Sequence, residues 1–487
     1  MRKSELTREK QRLLWEDIRM VFSSSTFIFM FLPIVLIGYY LINPQYRNIF
    51  LLIVSLVFYA FTEPRFVLIL ILSIVINYTV GVTIDRIESA IAKKIILLCG
   101  IIIDLLILCV FKYTNFLTIN IHRIWVSMKI ANIALPVGIS FFTFQEISYI
   151  VDVYRGEEVQ NNPLNLGLYI SFFPQLIAGP IVRYKMIAQE INQREHSWNE
   201  FSEGIVIFIC GFAKKIILSN NMSIIADKAF AGDLSNQSIA FAWLGAFAYT
   251  YQIYFDFSGY SDMAIGLGRM FGFHFPQNFN YPYASKNITD FWRRWHISLG
   301  TWFRDYIYIP LGGSRKGDRK TIRNLLVVWL LTGLWHGAGW TFIIWGLSHF
   351  VMLVMEKYVI HPSEFKKNWI SQIYRFIIFI FVTICWVIFR SEGMTCAIKY
   401  LKAMFGLYHN QWIDSSGRWY FKEYASLFLL SILLSVPFVR NLISTVKTRI
   451  NPILCEVIRV FVYTSLFVVS ISYLVIGAHN PFIYFNF

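Results

Sequence analysis

The apolar residues of this chain are gathered in long blocks, and this feature limits the possible folds more than any other. Each block runs to roughly 18–25 residues, the length with which an α-helix crosses about 30 Å of hydrocarbon. Only helices and closed barrels satisfy their own backbone hydrogen bonds in lipid. A barrel needs alternating apolar and polar residues, whereas residues 101–103 and 105–108 are apolar throughout. The pattern therefore predicts an all-α integral membrane protein.

Composition and charge exclude several other classes. Hydrophobic residues make up 56% of the chain and charged residues 15%, against about 25% charged residues in a typical soluble domain. The net charge of +15 would suggest nucleic acid as a partner of a soluble protein. Membrane proteins, however, keep Lys and Arg in their cytoplasmic loops. We therefore expect membrane lipids and no nucleic acid as partners. None of the six cysteines forms a CxxC pair, so no metal site is predicted.

The order of the segments predicts about ten to thirteen membrane-embedded helices, several of them short or re-entrant. Residues 1–19 are polar and lack the apolar core of a signal peptide, so we interpret them as an N-terminal extension. Residues 20–487 are predicted to form a single membrane domain. Within it, residues 257–323 lack a good span and are predicted to lie mainly at the cytoplasmic side or in the interface.

The stretch from Lys286 to Arg323 contains nine basic and three acidic residues. The positive-inside rule places it at the cytoplasmic face. Two interpretations of the excess charge stay open: contact with lipid headgroups, or binding of a phosphorylated ligand. The candidate phosphate-binding residues are Lys286, Arg293, Arg294, Arg304, Arg315, Lys316 and Arg319.

A single amphipathic helix is predicted over about 290–304, lying at the membrane boundary rather than crossing it. Its large apolar residues recur at spacings of three and four. The stripe consists of Trp292, Trp295, Leu299, Trp302 and Phe303. His296 joins this stripe and is expected to point into the protein, either as a satisfied core histidine or as a functional one.

A second histidine is predicted to lie deep in the membrane. The apolar block from Asn324 to about Tyr358 is too long for one span, and glycines at 333, 337 and 339 interrupt it. A helix starting near Asn324 carries His336 about 20 Å inward. An ionisable residue at that depth is a functional candidate, although a helix-packing histidine is the simpler alternative. Imidazole suits acyl transfer because it accepts and returns a proton near neutral pH.

Three aspartates, Asp104, Asp256 and Asp262, are also predicted to lie within the membrane. Structural hydrogen bonding is the simpler interpretation for them, and orientation of a histidine is the alternative.

Several long motifs, in order along the chain, resemble the membrane-bound O-acyltransferase (MBOAT) superfamily. They resemble above all its bacterial branch that O-acetylates extracytoplasmic polysaccharides, of which the membrane subunit of alginate O-acetyltransferase is the best-known member. The resemblance covers nearly the whole chain from Met20. The motifs that carry it are residues 172–183, 254–265, 291–296, 334–337 and 480–487.

The resemblance implies a ring of tilted helices around a central tunnel, in a multi-pass protein of the bacterial cytoplasmic membrane. It implies that His336 is the essential catalytic histidine and that His296 is the second signature position. It further implies acetyl-CoA as the acyl donor substrate, with no permanently bound cofactor. The acceptor would be a polysaccharide hydroxyl, reached directly or through a separate extracytoplasmic SGNH-type transferase.

Three points stay open at this level. The acceptor polymer could be alginate, peptidoglycan, cellulose, a secondary wall polymer or an exopolysaccharide. A D-alanyl transfer protein of teichoic acid modification shares the superfamily and takes its acyl group from a carrier protein. A transporter or flippase without transfer chemistry is the non-enzymatic alternative, although such folds tend to show broken helices in both halves and this sequence shows one.

Overall fold

The computed structural model describes residues 20–476 together with 481 and 483. The N-terminal extension and most of the motif at 480–487 therefore lie outside the described residues. The described part of the chain is helical and contains no β-strand. It forms two compact units: one comprises residues up to 114, 131–205 and 266–275, and the other comprises 115–130, 206–265 and 276 onward.

The α-helices follow one another along the chain. In chain order they are α1 (Leu32–Leu41), α2 (Arg47–Thr62), α3 (Val67–Arg86), α4 (Ala90–His122), α5 (Ile139–Tyr154), α6 (Pro163–Ser171), α7 (Phe173–Leu176), α8 (Tyr184–Asn192), α9 (Trp198–Ala213), α10 (Asn220–Ala231), α11 (Ile239–Met270), α12 (Ile288–Trp292), α13 (Ile297–Phe303), α14 (Asp318–His336), α15 (Trp340–Met355), α16 (Asn368–Arg390), α17 (Met394–Met404), α18 (Ser415–Ser435), α19 (Phe438–Lys447) and α20 (Pro452–Val475). Short π-helical turns occupy Phe27–Phe31, Lys214–Ser219, Arg304–Tyr308 and Glu356–Ile360.

Six helices in the described part of the chain are long and apolar enough to cross a bilayer. They are α2 with the turn before it, α3, α4, α15 with the turn after it, α16 and α20. A seventh span is formed if α18 and α19, bent by 71° at their junction, count as one. The prediction of a multi-pass all-α membrane protein is confirmed. The count of ten to thirteen embedded segments and the central tunnel stay predictions.

The interrupted helix predicted after Asn324 is confirmed. α14 ends at His336, the chain is extended at Gly337, and α15 begins at Trp340. A Cβ atom on Gly333 would lie 2.6 Å from the carbonyl oxygen of Phe342. Glycine at position 333 therefore lets α14 and α15 approach closely, and the backbone of α15 occupies the space that a side chain would need.

The prediction of one helix over 290–304 is wrong. The chain forms two short helices, α12 and α13, separated by a break that ends at His296, whose φ angle of 45° is left-handed. Hydrogen bonds to an adjacent loop replace the helical ones: the Asn280 N–H donates to the Arg294 carbonyl, and the Ile297 N–H donates to the Asn278 carbonyl, both at 2.9 Å. The predicted burial of the stripe nevertheless holds, with only the first of its five residues half-buried.

The structure also shows how the stretch 257–323 begins, although its predicted place at the cytoplasmic side stays a prediction. α11 begins at Ile239 and continues without a break to Met270, so the first part of the 257–323 stretch is helical. The sequence contains only scattered polar residues here, such as Asp256 and Asp262, and these are paired with other side chains of the same unit. The pairing offsets part of the cost of burying these charges in an apolar helix.

The aspartates form structural contacts, as the simpler interpretation predicts. Asp256 Oδ1 lies 2.5 Å from Lys215 Nζ, and the side chains of both are at most 1% exposed. Asp262 Oδ2 lies 2.6 Å from Lys214 Nζ. Asp104 accepts a hydrogen bond of 2.9 Å from a buried asparagine of its own unit. These contacts hold helices together.

Candidate active site

His336 lies at the end of α14 and packs against aromatic rings. Its ring centre is 5.0 Å from that of Trp335, 4.9 Å from Trp345 and 5.3 Å from Phe389. All four side chains are buried. An imidazole in such surroundings is shielded from bulk water, and electrostatic interactions with a bound reactant are strengthened by the low local dielectric constant.

The local sequence explains how the helix end presents this ring. At 1.5 Å per residue, the 19 residues of α14 span about 28 Å, so its first and last residues lie far apart along the helix axis. Gly337 is extended and Gly339 precedes α15 in an extended conformation. The reversal between the helices is therefore tight, and the histidine sits at its turning point.

His296 is held by a side chain from the loop that precedes α12. The ring Nδ1 lies 3.2 Å from Asn278 Oδ1, which also accepts from the Ser298 backbone N–H at 3.2 Å and from the Ser298 hydroxyl at 2.9 Å. An amide oxygen only accepts, so Nδ1 carries the proton and Nε2 of the neutral ring is unprotonated. Burial lowers the pKa of His296 from 6.5 to about 3. At neutral pH this ring is an uncharged hydrogen-bonding group.

The structure brings the two candidate histidines to the same tryptophan. Trp335 has its ring centre 5.8 Å from that of His296 and 5.0 Å from that of His336, although the histidines are separated by forty positions in the chain. Phe257 of α11 closes the other side of His296, with ring centres 4.7 Å apart. All of these residues belong to the second compact unit.

Two of the predicted phosphate-binding arginines are engaged by acidic neighbours. Arg294 Nε donates to Asp290 Oδ1 at 2.8 Å, and Arg304 Nε donates to Asp305 Oδ1 at 2.7 Å. Asp290 also accepts from the backbone N–H of Lys286 at 3.0 Å. Part of the positive charge that was expected to bind a phosphorylated ligand is therefore neutralised by acidic side chains of the protein.

The other candidates of the basic segment are solvent-exposed: Lys286, Arg293, Arg315, Lys316 and Arg319. The last three lie in or beside the loop that leads into α14, where Gly312, Gly313 and Gly317 all have positive φ angles. This backbone conformation strongly favours glycine. The structure does not gather the basic side chains around one point. Among the described residues no group of His, Cys, Asp and Glu side chains is arranged to hold a metal ion.

Sequence reasoning overlooked several residues of the site. Asn278 and Phe389 give no local signal, because their role depends on contacts with residues distant in the chain. His349 is different: it is a fully buried histidine in the spanning helix α15, and an ionisable residue in such a segment is a functional candidate in itself.

Comparison with known proteins yields a family and a set of relatives. Residues 157–399 match the family model described as membrane-bound O-acyltransferase family. A probable alginate O-acetylase of Pseudomonas putida is 41% identical over 96% of this chain and 100% of its own length. The corresponding protein of Pseudomonas syringae pv. tomato is 48% identical over 79% of this chain and 75% of its own length. A peptidoglycan O-acetyltransferase of Helicobacter pylori is 38% identical, with 80% of each chain covered.

Proposed function

The chain belongs to the membrane-bound O-acyltransferase family and is a multi-pass membrane O-acyltransferase, and from this premise we propose that it moves acetyl groups from cytoplasmic acetyl-CoA toward hydroxyls of an extracytoplasmic polysaccharide. The bacterial cytoplasmic membrane is the proposed location. The relatives are described as acting on alginate and on peptidoglycan. Both acceptors are polysaccharides, which supports a polymer hydroxyl as the final acceptor.

The observation that carries this proposal is the convergence of His336 and His296 on Trp335. In the proposed reaction His336 is the catalytic residue. As a general base it takes the proton of the acceptor hydroxyl while the oxygen attacks the thioester carbonyl, and it then returns the proton to the departing CoA thiolate. As a nucleophile it forms an acetyl-imidazole with release of CoA thiol, and the hydroxyl then takes the acetyl group. Both routes need a ring that is shielded from water.

His296 is proposed to position the thioester or to relay the proton. Its Nδ1 is committed to Asn278, and in the neutral ring Nε2 accepts hydrogen bonds or protons. Its pKa of about 3 means that it does not act as a cation at neutral pH. The acetyl group leaves on the outer side, either directly to the polymer or through a separate SGNH-type transferase.

Membrane vesicles supplied with radiolabelled acetyl-CoA test the catalytic role. Replacement of His336 by Ala should reduce the rate of acetyl transfer by at least about a hundredfold, the usual contribution of general acid–base catalysis. His274→Ala is a matched control, because this histidine is exposed on the first unit and should not affect the rate. Transfer at the normal rate by the His336 variant would contradict the proposal. Use of a carrier-protein thioester in place of acetyl-CoA would show that the D-alanyl type of reaction is the correct one.

The exposed basic residues provide a second prediction. Reversal of charge in the double variant Arg315→Glu/Lys316→Glu should raise the KM for acetyl-CoA several-fold, with little change in kcat, because these side chains are proposed to contact phosphates and not the thioester. The effect should shrink at high salt, which screens exposed charges. An unchanged KM would assign the positive charge to membrane topology.

Mass spectrometry of wall and capsule polymers from a deletion strain identifies the acceptor. The expected result is the loss of O-acetyl groups from one polymer. If the transfer is indirect, expression of the wild-type chain in the deletion strain should restore the O-acetyl groups only when the partner transferase is also present.

A further inference from the structure

A group of basic side chains surrounds Tyr39 at the end of α1, within the first compact unit. The Tyr39 hydroxyl donates to the carbonyl oxygen of Phe271 at 3.0 Å and accepts from Arg194 Nε at 3.3 Å. The Nε2 atom of His196 lies 3.2 Å from the same hydroxyl. The Arg47 guanidinium lies over the Tyr39 ring, 5.0 Å from its centre. We call Tyr39, Arg47, Arg194 and His196 the Tyr39 cluster.

The positive charge of the Tyr39 cluster is not balanced by acidic side chains. Neither Arg47 nor Arg194 forms an ion pair with a carboxylate in the part of the chain that the structure describes. Of the two acids near Arg194 in the chain, Glu190 lies 2.8 Å from the ring of another histidine, and Glu195 is exposed. Burial, together with the charges of the two arginines, lowers the pKa of His196 from 6.5 to about 4. At neutral pH the cluster therefore carries two positive charges, both from arginine.

The contacts that hold these arginines leave N–H groups for a ligand. Arg47 lies over the rings of Tyr39 and Tyr40, at 5.0 and 5.7 Å from their centres, and Arg194 lies over the ring of Phe273 at 4.4 Å. Contact with the face of a ring is electrostatic and uses no hydrogen-bond donor. Arg47 Nε is shielded from water and has no hydrogen-bond partner among the described residues, which is costly for a donor. An anion with several oxygens would accept from both guanidinium groups.

An anion can reach the cluster from the surface without a cavity. Arg47 and Arg194 are half-buried and His196 is exposed. The site is thus a basic patch on the outside of the first unit, formed by the end of α1, the start of α2 and the loop before α9.

The position of the patch relative to the bilayer indicates which anion it meets. Arg47 lies three positions after the start of the spanning segment Pro44–Thr62, so it is near the end of the hydrocarbon region, at the level of lipid phosphates. Apolar side chains beside it are exposed: Ile37 to 61%, Leu41 to 81% and Tyr46 to 51%. Apolar surface of this kind on a membrane helix faces acyl chains. A basic site between membrane helices with lipid-facing surface beside it is typical of anionic headgroup recognition.

We propose that the Tyr39 cluster binds the phosphate group of an anionic phospholipid, such as phosphatidylglycerol. The phosphate oxygens accept from Arg47 and Arg194, and the acyl chains lie along the exposed apolar face of α1. A zwitterionic lipid binds more weakly, because its ammonium group is repelled by the same two charges. The proposed lipid site does not depend on acyl transfer, since the candidate catalytic histidines belong to the other compact unit.

Native mass spectrometry of the full-length protein in detergent tests this site with two lipids, phosphatidylglycerol and phosphatidylcholine. The wild type should bind the first at least about tenfold more tightly. Arg47→Gln and Arg194→Gln should each lower the affinity for phosphatidylglycerol about tenfold or more, the usual value of a hydrogen bond between charged groups, and leave that for phosphatidylcholine unchanged. Arg86→Gln is the matched control, because Arg86 is an exposed arginine in the last turn of the spanning helix α3 in the same unit and lies outside the cluster.

Equal affinity of the wild type for the two lipids would overturn the proposal, and so would equal loss of phosphatidylglycerol in the Arg86 and Arg47 variants. If Arg194→Gln does not fold, because it also removes the bonds to Tyr39 and to the Glu190 carbonyl, Arg47→Gln alone decides, since its side chain forms no hydrogen bond to the described residues.

Soluble phosphates provide the last comparison. Thermal unfolding in detergent should shift upward with phosphatidylglycerol for the wild type and not for Arg47→Gln, and inorganic phosphate or CoA at the same concentration should have no such effect. A shift that inorganic phosphate or CoA produces and phosphatidylglycerol does not would assign the cluster to a soluble ligand and contradict the lipid site. None of these measurements uses acetyl transfer, so their failure would leave the proposed function untouched.

Discussion

At the scale of single residues, His296 shows how surrounding contacts maintain an unfavourable backbone conformation. Its φ angle is 45°, a left-handed conformation that costs a non-glycine residue roughly 1–2 kcal/mol. The bond from Nδ1 to Asn278 and the contact with Phe257 hold the ring in place. Such outliers persist where the surroundings over-determine them, and they are frequent at functional sites.

The buried, neutral His296 should make stability depend on pH. Its pKa is about 3 in the folded protein, and the unfolded chain, with a pKa of about 6.5, binds the proton first. This contribution is therefore fully present above about pH 6.5 and is lost, at roughly 1 kcal/mol per pH unit, as the pH falls toward 3. The thermal unfolding temperature in detergent should drop more between pH 7.5 and 5.5 for the wild type than for His296→Asn. Equal drops in unfolding temperature would show that folding does not lower the pKa of His296.

At the scale of helices, α12 is anchored by a carboxylate from another part of the chain. Glu356 follows α15 and is buried. Its oxygens accept from the N–H groups of Ile288 and Thr289, at 2.7 and 3.2 Å, and from the Tyr374 hydroxyl at 2.9 Å. A negative charge at a helix N-terminus is favourable. This cap links α12, and through it His296, to the antiparallel pair that carries His336.

Removal of this cap should destabilise the site. Glu356→Ala leaves the buried Ile288 N–H and the buried Tyr374 hydroxyl without this acceptor, which we expect to cost about 2–3 kcal/mol, and Glu356→Gln should cost less. Thermal unfolding in detergent gives the stability, and acetyl transfer should decline in the same order. Glu364→Ala is the control, since this nearby glutamate is exposed. Equal stability of the Glu356 and Glu364 variants would mean that the cap has no structural role.

At the scale of the whole molecule, the excess of positive charge is concentrated where helices begin or end. The basic segment precedes α14, and the amphipathic α19 carries Arg440 and Lys447 after the 71° bend. Exposed apolar side chains of α19, such as Leu442 and Ile443, lie on the same short helix. This pattern is typical of elements at the membrane surface. For the basic segment the positive-inside rule predicts the cytoplasmic face.

Site-directed labelling tests this orientation. In a background in which the exposed cysteines Cys99, Cys109 and Cys396 are replaced by serine, Ser314→Cys places a thiol on the exposed loop before α14. A membrane-impermeant maleimide should label it in inside-out vesicles and fail to label it in intact cells. Permeabilised cells provide the control for reactivity. Labelling in intact cells would reverse the proposed topology and would place the donor on the wrong side.

Much of the architecture follows from the sequence alone. Block length and composition determine that the chain is helical and spans a membrane, because these depend on the local cost of apolar surface and unpaired backbone in each solvent. The glycines around His336 likewise predict the interruption between α14 and α15. The motifs predict the family, which the comparisons confirm, and they select His336 and His296 as candidates, whose roles stay predictions.

Tertiary structure decided what depends on residues far apart in the chain. It broke the helix predicted over 290–304, because peptide groups near Asn278 compete for the hydrogen bonds that would continue it. It also set the antiparallel register of α14 and α15, which brings Trp345 to His336. A periodic pattern records which face of a helix is buried; the neighbours of that face are determined only when the whole chain packs.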